Sequence, residues 1–375
     1  MPNSLFIANK NLKLLFDSLS NLGYQTIGPK VQENTIKYLP INSAEQLPWG
    51  ISDEQDAGTY NLINDNPKRA FNFNTGAYAL KNYVFPAEET LWQVKRDNDG
   101  KGSLEFISQD SQQKLAILGV RSCDINALDL LDRHFLSNKK HKQVDPWYQN
   151  RRQNLLLIAV NCNKSSNSCF CSSAGTGPEV KSGFDLLIDE IDEGFLLSSG
   201  SASGEQILAQ ITATSVSEQQ RKTAEQRLQS AKQQQSRTIP SNNLATKIAN
   251  NLTSDIWQQV AEKCLACGNC TLVCPSCFCH KHEDTPELDL SASSHIRLWE
   301  SCFSDNHSMM HGHSQRATIA NRYRQWLSHK FSSWHQQYDS SGCTGCGRCI
   351  TWCPVGIDIS QVLHQIDKES KNVTT

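Results

Sequence analysis

The 375-residue chain has no apolar stretch approaching the about 18 residues that a membrane-spanning helix needs, so direct insertion into a bilayer is not expected. It has no excess of either charge: 36 Lys and Arg face 38 Asp and Glu, a net charge of −2. A nucleic-acid binder would show a basic surplus, and that class is set aside. The basic residues are dispersed, which also argues against a peripheral membrane patch. The opening segment, MPNSLFIANKNLK, lacks the apolar core of a secretory leader, and a cytoplasmic location is expected. No Ser–His or Cys–His constellation of defined spacing appears, and GTGP at 175–178 is too short for a nucleotide loop, so no catalytic residue is assigned.

Cysteine is abundant. There are 15, an odd number in a long chain, which speaks against a disulfide framework. Eight fall in two copies of one pattern. Cys264, Cys267, Cys270 and Cys274 precede Pro275, and Cys343, Cys346, Cys349 and Cys353 precede Pro354. Each reads C-x-x-C-x-x-C-x-x-x-C-P, the run that binds 4Fe-4S cubanes in bacterial ferredoxins. Three closely spaced thiolates can curl around three corners of one cube. The fourth, steered off by proline, ligates the other cluster in two-cluster ferredoxins. The expected sets are therefore Cys264, Cys267, Cys270 and Cys353 for cluster one, and Cys343, Cys346, Cys349 and Cys274 for cluster two. A zinc ribbon would use two C-x-x-C knuckles around one ion, whereas each run here offers one thiolate more.

The expected fold class is an N-terminal α/β domain plus a mostly α-helical C-terminal domain that contains a two-cluster ferredoxin-like, α+β cluster-binding unit. Residues 1–200 read as the α/β domain. Leu12, Leu15, Phe16, Leu19 and Leu22 recur at helical spacing before Gly23. Short apolar runs at 115–120, 155–160, 186–188 and 195–197 read as buried strands, with a helix over 125–135 capped by Asp124. Residues 201–253 read as a polar helical connector, with a capping box at Ser217 and Gln220 and fraying at 236–243. Residues 254–375 form the cluster domain, entered by a short helix over 255–263 and carrying a helical insertion at 275–342. In the insertion, 316–338 is an amphipathic helix. Its apolar face carries Ala320, Tyr323, Leu327, Phe331 and Trp334; Arg316, Arg322, Arg324 and Lys330 lie mostly opposite, solvated or screening cluster charge.

Seven cysteines remain. Cys123 and Cys162 follow the strands 115–120 and 155–160, at the strand ends where α/β sheets place ligands. With Cys169 and Cys171 they offer four thiolates, enough for a third cluster; buried, inert cysteines are the other reading. Cys277, Cys279 and Cys302 are one ligand short of a site, which His280, His282, His311 or His313 could supply, against simple packing.

The stretches FPAEETLWQV, GVRSCDINALDLLDRHFL, CFCSSAGTGPEVKSGFDL, EKCLACGNCTLVCPSCFC and SGCTGCGRCITWCPVGIDI, taken together, resemble the beta subunits of cytoplasmic sulfhydrogenases (sulfur reductases) and their close relative among the subunits of anaerobic sulfite reductase. The resemblance spans roughly residues 75 to 360; Ser122 departs from the proline expected before the cysteine of RSCD. It implies an iron–sulfur subunit passing electrons between a flavin/NAD(P)H-binding subunit and a catalytic subunit bearing siroheme or a nickel–iron site. The alternative is a stand-alone oxidoreductase with a substrate or flavin site in the α/β domain.

Overall fold

The computed structural model describes residues 4–96, 103–108, 113–136, 142–240 and 243–372. An eight-stranded mixed sheet forms its centre, in the order Thr214–Ser215, Leu5–Ala8, Gly194–Ser199, Leu186–Ile191, Leu155–Val160, Leu115–Val120, Gln25–Gln32 and Thr35–Pro40. The strands Gln25–Gln32, Leu115–Val120, Leu155–Val160 and Leu186–Ile191 pair in parallel; the outer strands are antiparallel. Continuous apolar sequence is what a parallel strand covered on both faces requires. One face carries the helix Lys13–Asn21 through Leu15, Phe16 and Leu19, and the other carries the helix Ser122–Phe135 through Ile125, Leu128, Leu131 and Phe135. All four apolar runs are strands of this sheet, and the first two are joined through helices as a parallel pair.

Asp124 is not a cap. The helix starts at Ser122, its N-cap is Arg121, and no side chain caps it. The Asp124 carboxylate instead accepts from Arg348 at 2.6 Å, an ion pair 2–3% exposed that joins the α/β domain to the second cysteine run. Tertiary pairing has displaced a local role.

The C-terminal part is not simply helical. The insertion contributes the strands His280–Pro286 and Ala292–Trp299, which pair with Glu88–Arg96 and Leu104–Ser108 of the N-terminal part in one antiparallel sheet. Leu298 and Ile296 alternate with polar neighbours, the period-two pattern of a strand, although the segment is too polar to announce a buried one. Arg297, 1% exposed, bonds Glu89 and Asp145 across this joint. The helix expected over 316–338 is broken into Ile319–Ser328, a π-helical turn His329–Ser333, and Trp334–Tyr338. Tyr323, Leu327, Phe331 and Trp334 face inward, but so do Arg322 and Lys330, which were expected to lie opposite. Lys330 follows Tyr323 by seven residues, two turns, and so shares its face, while the Phe303 carbonyl and Asp305 draw Arg322 in.

The polar connector is helical over Glu218–Gln233, with the Ser217–Gln220 capping box in place. Of the stretch 236–243, residues 241 and 242 lie outside the described residues. Arg237 is held by Asp56 (2.7 Å) and Asp358 (2.6 Å) rather than frayed. The short helix before the first run is Ile256–Ala261, with Ile256 and Trp257 as its buried pair.

Candidate iron–sulfur centres

The two cysteine runs fold into matching loops, each entering a one-turn helix, Asn269–Leu272 and Arg348–Thr351, from a left-handed glycine (Gly268, φ 77°; Gly347, φ 74°). Backbone amides point at sulfur in both: Ala266 N–H donates to Cys264 Sγ and Gly345 N–H to Cys343 Sγ, each at 3.4 Å, and Ile357 N–H to Cys353 Sγ at 3.3 Å. Such donors stabilise thiolate charge and orient metal ligands.

Tertiary packing crosses the runs. Cys264, Cys267, Cys270 and Cys353 line one cavity, of about 30 Å³, which Cys349 lines as well. Cys274 leaves its own run and lies near Cys343, Cys346 and Cys349, whose burial and mutual proximity push their thiols up. No three His, Cys, Asp or Glu side chains are grouped to hold a single metal ion among the described residues. Thiolates on one zinc would stand within about 4 Å of one another, given Zn–S bonds of about 2.3 Å. Thiolates around a cube stand further apart.

The surroundings fit a cube. Tyr323 Oη and Trp326 Nε1 are buried without a hydrogen-bond partner, and both residues line the first cavity. Orphaned buried donors are costly unless something accepts from them, and cluster sulfur is an acceptor. At the second set, Lys330 Nζ donates to Cys274 Sγ (3.3 Å), Ser276 Oγ (3.3 Å) and Gly342 O (2.9 Å). Cys274 is held well below the usual thiol range, first by a hydrogen bond from Cys277 and then by the Lys330 ammonium. Lys81, buried against the Trp299 ring, is pushed down to about 8 by desolvation and lies near the same sulfurs.

Cys123, Cys162, Cys169 and Cys171 come together. They line a second cavity, of about 20 Å³, with Arg121, Arg348 and Cys346. The CFC loop that brings Cys169 and Cys171 there packs directly on the second run: Phe170 N–H donates to Gly345 O (2.8 Å) and Thr176 Oγ1 to Thr344 O (2.6 Å). This contact explains two glycines. A Cβ on Gly345 would lie 2.7 Å from the Cys171 backbone, and one on Gly347 would lie 2.3 Å from Ser168 O. Gly347→Ala should therefore cost about 2 kcal/mol or more through strain and clash, read as a lowered thermal midpoint of the anaerobic protein; an unchanged midpoint would contradict the packing.

Cys277, Cys279 and Cys302 are near neighbours, with Cys277 beside Cys274 and Cys302 beside Cys279. Hydrogen bonds from Cys302 and then His307 lower Cys279 to about 4. His307 was not among the histidines expected there: nothing in its sequence spacing marks it. His280 bonds the Phe278 carbonyl, His282 bonds His295, and His311 and His313 are exposed on a hairpin.

No helix among the described residues is long and apolar enough to cross a membrane. Residues 263–357 match the family model of the 4Fe-4S dicluster domain, the type that carries two 4Fe-4S clusters. No solved structure matches the chain. The chain is 27% identical over 356 residues to Sulfhydrogenase 2 subunit beta of Pyrococcus furiosus, an alignment that covers 94% of each. The C-terminal part is thus a 4Fe-4S dicluster domain, set in a chain that is similar along almost its whole length to a sulfhydrogenase beta subunit.

Proposed function

We propose that this chain is the iron–sulfur electron-transfer subunit of an oxidoreductase complex. It relays single electrons between a flavin/NAD(P)H-linked partner subunit and a catalytic subunit of sulfite reductase or nickel–iron sulfhydrogenase type. Cys264, Cys267, Cys270 and Cys353 hold cluster one; Cys343, Cys346, Cys349 and Cys274 hold cluster two. The observation that carries this reading is the crossed arrangement itself, which supplies each cube with four thiolates and leaves no open iron corner for substrate. Cubanes so ligated store and pass electrons. The partners rest on the similarity to a protein named as one subunit of a sulfhydrogenase.

The surface supports docking at cluster one. Cys267 is exposed at the mouth of the first cavity, flanked by Leu265 (62% exposed) and Val355 (39% exposed). An apolar rim beside a near-surface cluster suits a partner that must bring its own redox centre close. The second run, by contrast, makes its polar contacts with the α/β domain, through Thr344 and Arg348.

The test uses the anaerobically purified chain, alone and with its co-purifying subunits. Alone, it should bleach with a strong reductant, take up at least two electrons, and reduce neither sulfite nor polysulfide nor evolve hydrogen. Turnover should appear on adding the partners. Substrate turnover by the isolated chain, or bound flavin in its spectrum, would instead favour the stand-alone oxidoreductase.

A further inference from the structure

We propose that Cys123, Cys162, Cys169 and Cys171 hold a third 4Fe-4S cubane, in the cavity at the carboxyl ends of the strands Leu115–Val120 and Leu155–Val160. The proposal rests on the reading that this chain carries iron–sulfur clusters, and extends it to a part of the chain outside the dicluster domain match at 263–357.

The first support is assembly. The four thiols come from the first turn of the helix Ser122–Phe135, the segment after Leu155–Val160, and the CFC loop, yet all line one cavity. Its volume, about 20 Å³, is close to the about 30 Å³ of the first ferredoxin-type cavity.

The second support is a set of buried donors with nothing to donate to. Arg121 and Arg348 both line this cavity, both are 2% exposed, and the Nε–H of each has no hydrogen-bond partner. Arg121 spends its remaining N–H groups on the Phe71, Phe73, Val160 and Asn161 carbonyls and makes no ion pair among the described residues. Asp53 and Glu190 act on Arg121 through space but accept none of its N–H groups, and Arg348 is paired with Asp124, so what both arginines lack is an acceptor for Nε–H. A cubane with four thiolates accepts hydrogen bonds at sulfur and adds a net charge of roughly −2 beside them. Other donors already reach the thiols: Gln235 Nε2 lies 3.1 Å from Cys171 Sγ, and Ser166 Oγ lies 3.1 Å from Cys169 Sγ. Gln235 comes from the polar connector, which thereby has a site role.

The third support is position. Of the second run, Cys349 borders the first cavity and Cys346 lines this one. Cluster two therefore lies between the other two stations, and the order along the relay is one, two, three. The third cluster accepts an electron from reduced cluster two with no bond made or broken, and places it in the α/β domain.

Iron and acid-labile sulfide are counted on the full chain made and kept without oxygen, with zinc measured alongside. The wild type should hold about 12 irons, and Cys162→Ser/Cys169→Ser about eight, with the reduced-state signals of two clusters intact. Gln235→Leu, which only removes a donor, should keep about 12 irons and shift one signal of three. A wild-type count of about eight overturns the third cluster and leaves the two-cluster relay standing. Zinc at this site, displaced by the double substitution, overturns it equally. A folded chain without iron overturns both.

Discussion

Cys274→Ser and Cys346→Ser should abolish the same paramagnetic signal in the reduced protein, and Cys353→Ser and Cys267→Ser should together abolish a different one. Each substitution leaves one corner of a cube without its thiolate and should lose about four irons. The expected pairing runs against the sequence, because Cys274 belongs to the first run and Cys353 to the second. It follows from placement. Cys353 stands with Cys264, Cys267 and Cys270 around the first cavity, and Cys274 lies with the second set under the Lys330 ammonium. If Cys274→Ser and Cys267→Ser instead removed one common signal, the crossed ligation would be wrong, whatever the total iron content.

Lys330→Met should lower the reduction potential of cluster two and leave cluster one nearly unmoved. The ammonium is 5% exposed and 3.3 Å from Cys274 Sγ. An added electron about 5 Å away, at an effective dielectric of about 20, interacts with it by about 3 kcal/mol, on the order of 100 mV for one electron. Removing the cation removes that stabilisation, so the sign is downward. The same substitution should destabilise the fold by about 3 kcal/mol, because it breaks a buried charge pair. Potentiometric titration followed by electron paramagnetic resonance separates the two clusters; equal shifts in both would mean that Lys330 acts through general loosening rather than through its charge. Its place seven residues, two helical turns, after Tyr323 puts this lysine on the buried face of the helix.

Local chemistry was legible along the chain. The cysteine spacing announced cubanes, because a short turning loop and a proline impose their geometry on neighbouring residues whatever surrounds them. The four apolar runs announced strands for the same kind of reason, and Ser217 with Gln220 announced a cap made entirely within one turn. The segment 280–299 was harder. Its strands are polar, the first almost wholly exposed and the second partly buried, and they exist because Glu88–Arg96 offers them an edge. Asp124 misled for a related reason: its local use as a cap lost to a buried guanidinium more than two hundred residues away.

By itself, the order of residues determined that this chain would present eight thiolates in two ferredoxin runs and bury apolar strands in an α/β sheet. Only the tertiary structure decided which thiolates share a cavity and that Cys123, Cys162, Cys169 and Cys171 meet beside two arginines. It also decided that Lys330 turns toward Cys274 and that His307, rather than the histidines named from spacing, reaches Cys279. Spacing governs groups a few residues apart; these meetings join segments as much as 225 residues apart (Cys123 to Arg348), and only the packing of one element on another can set them.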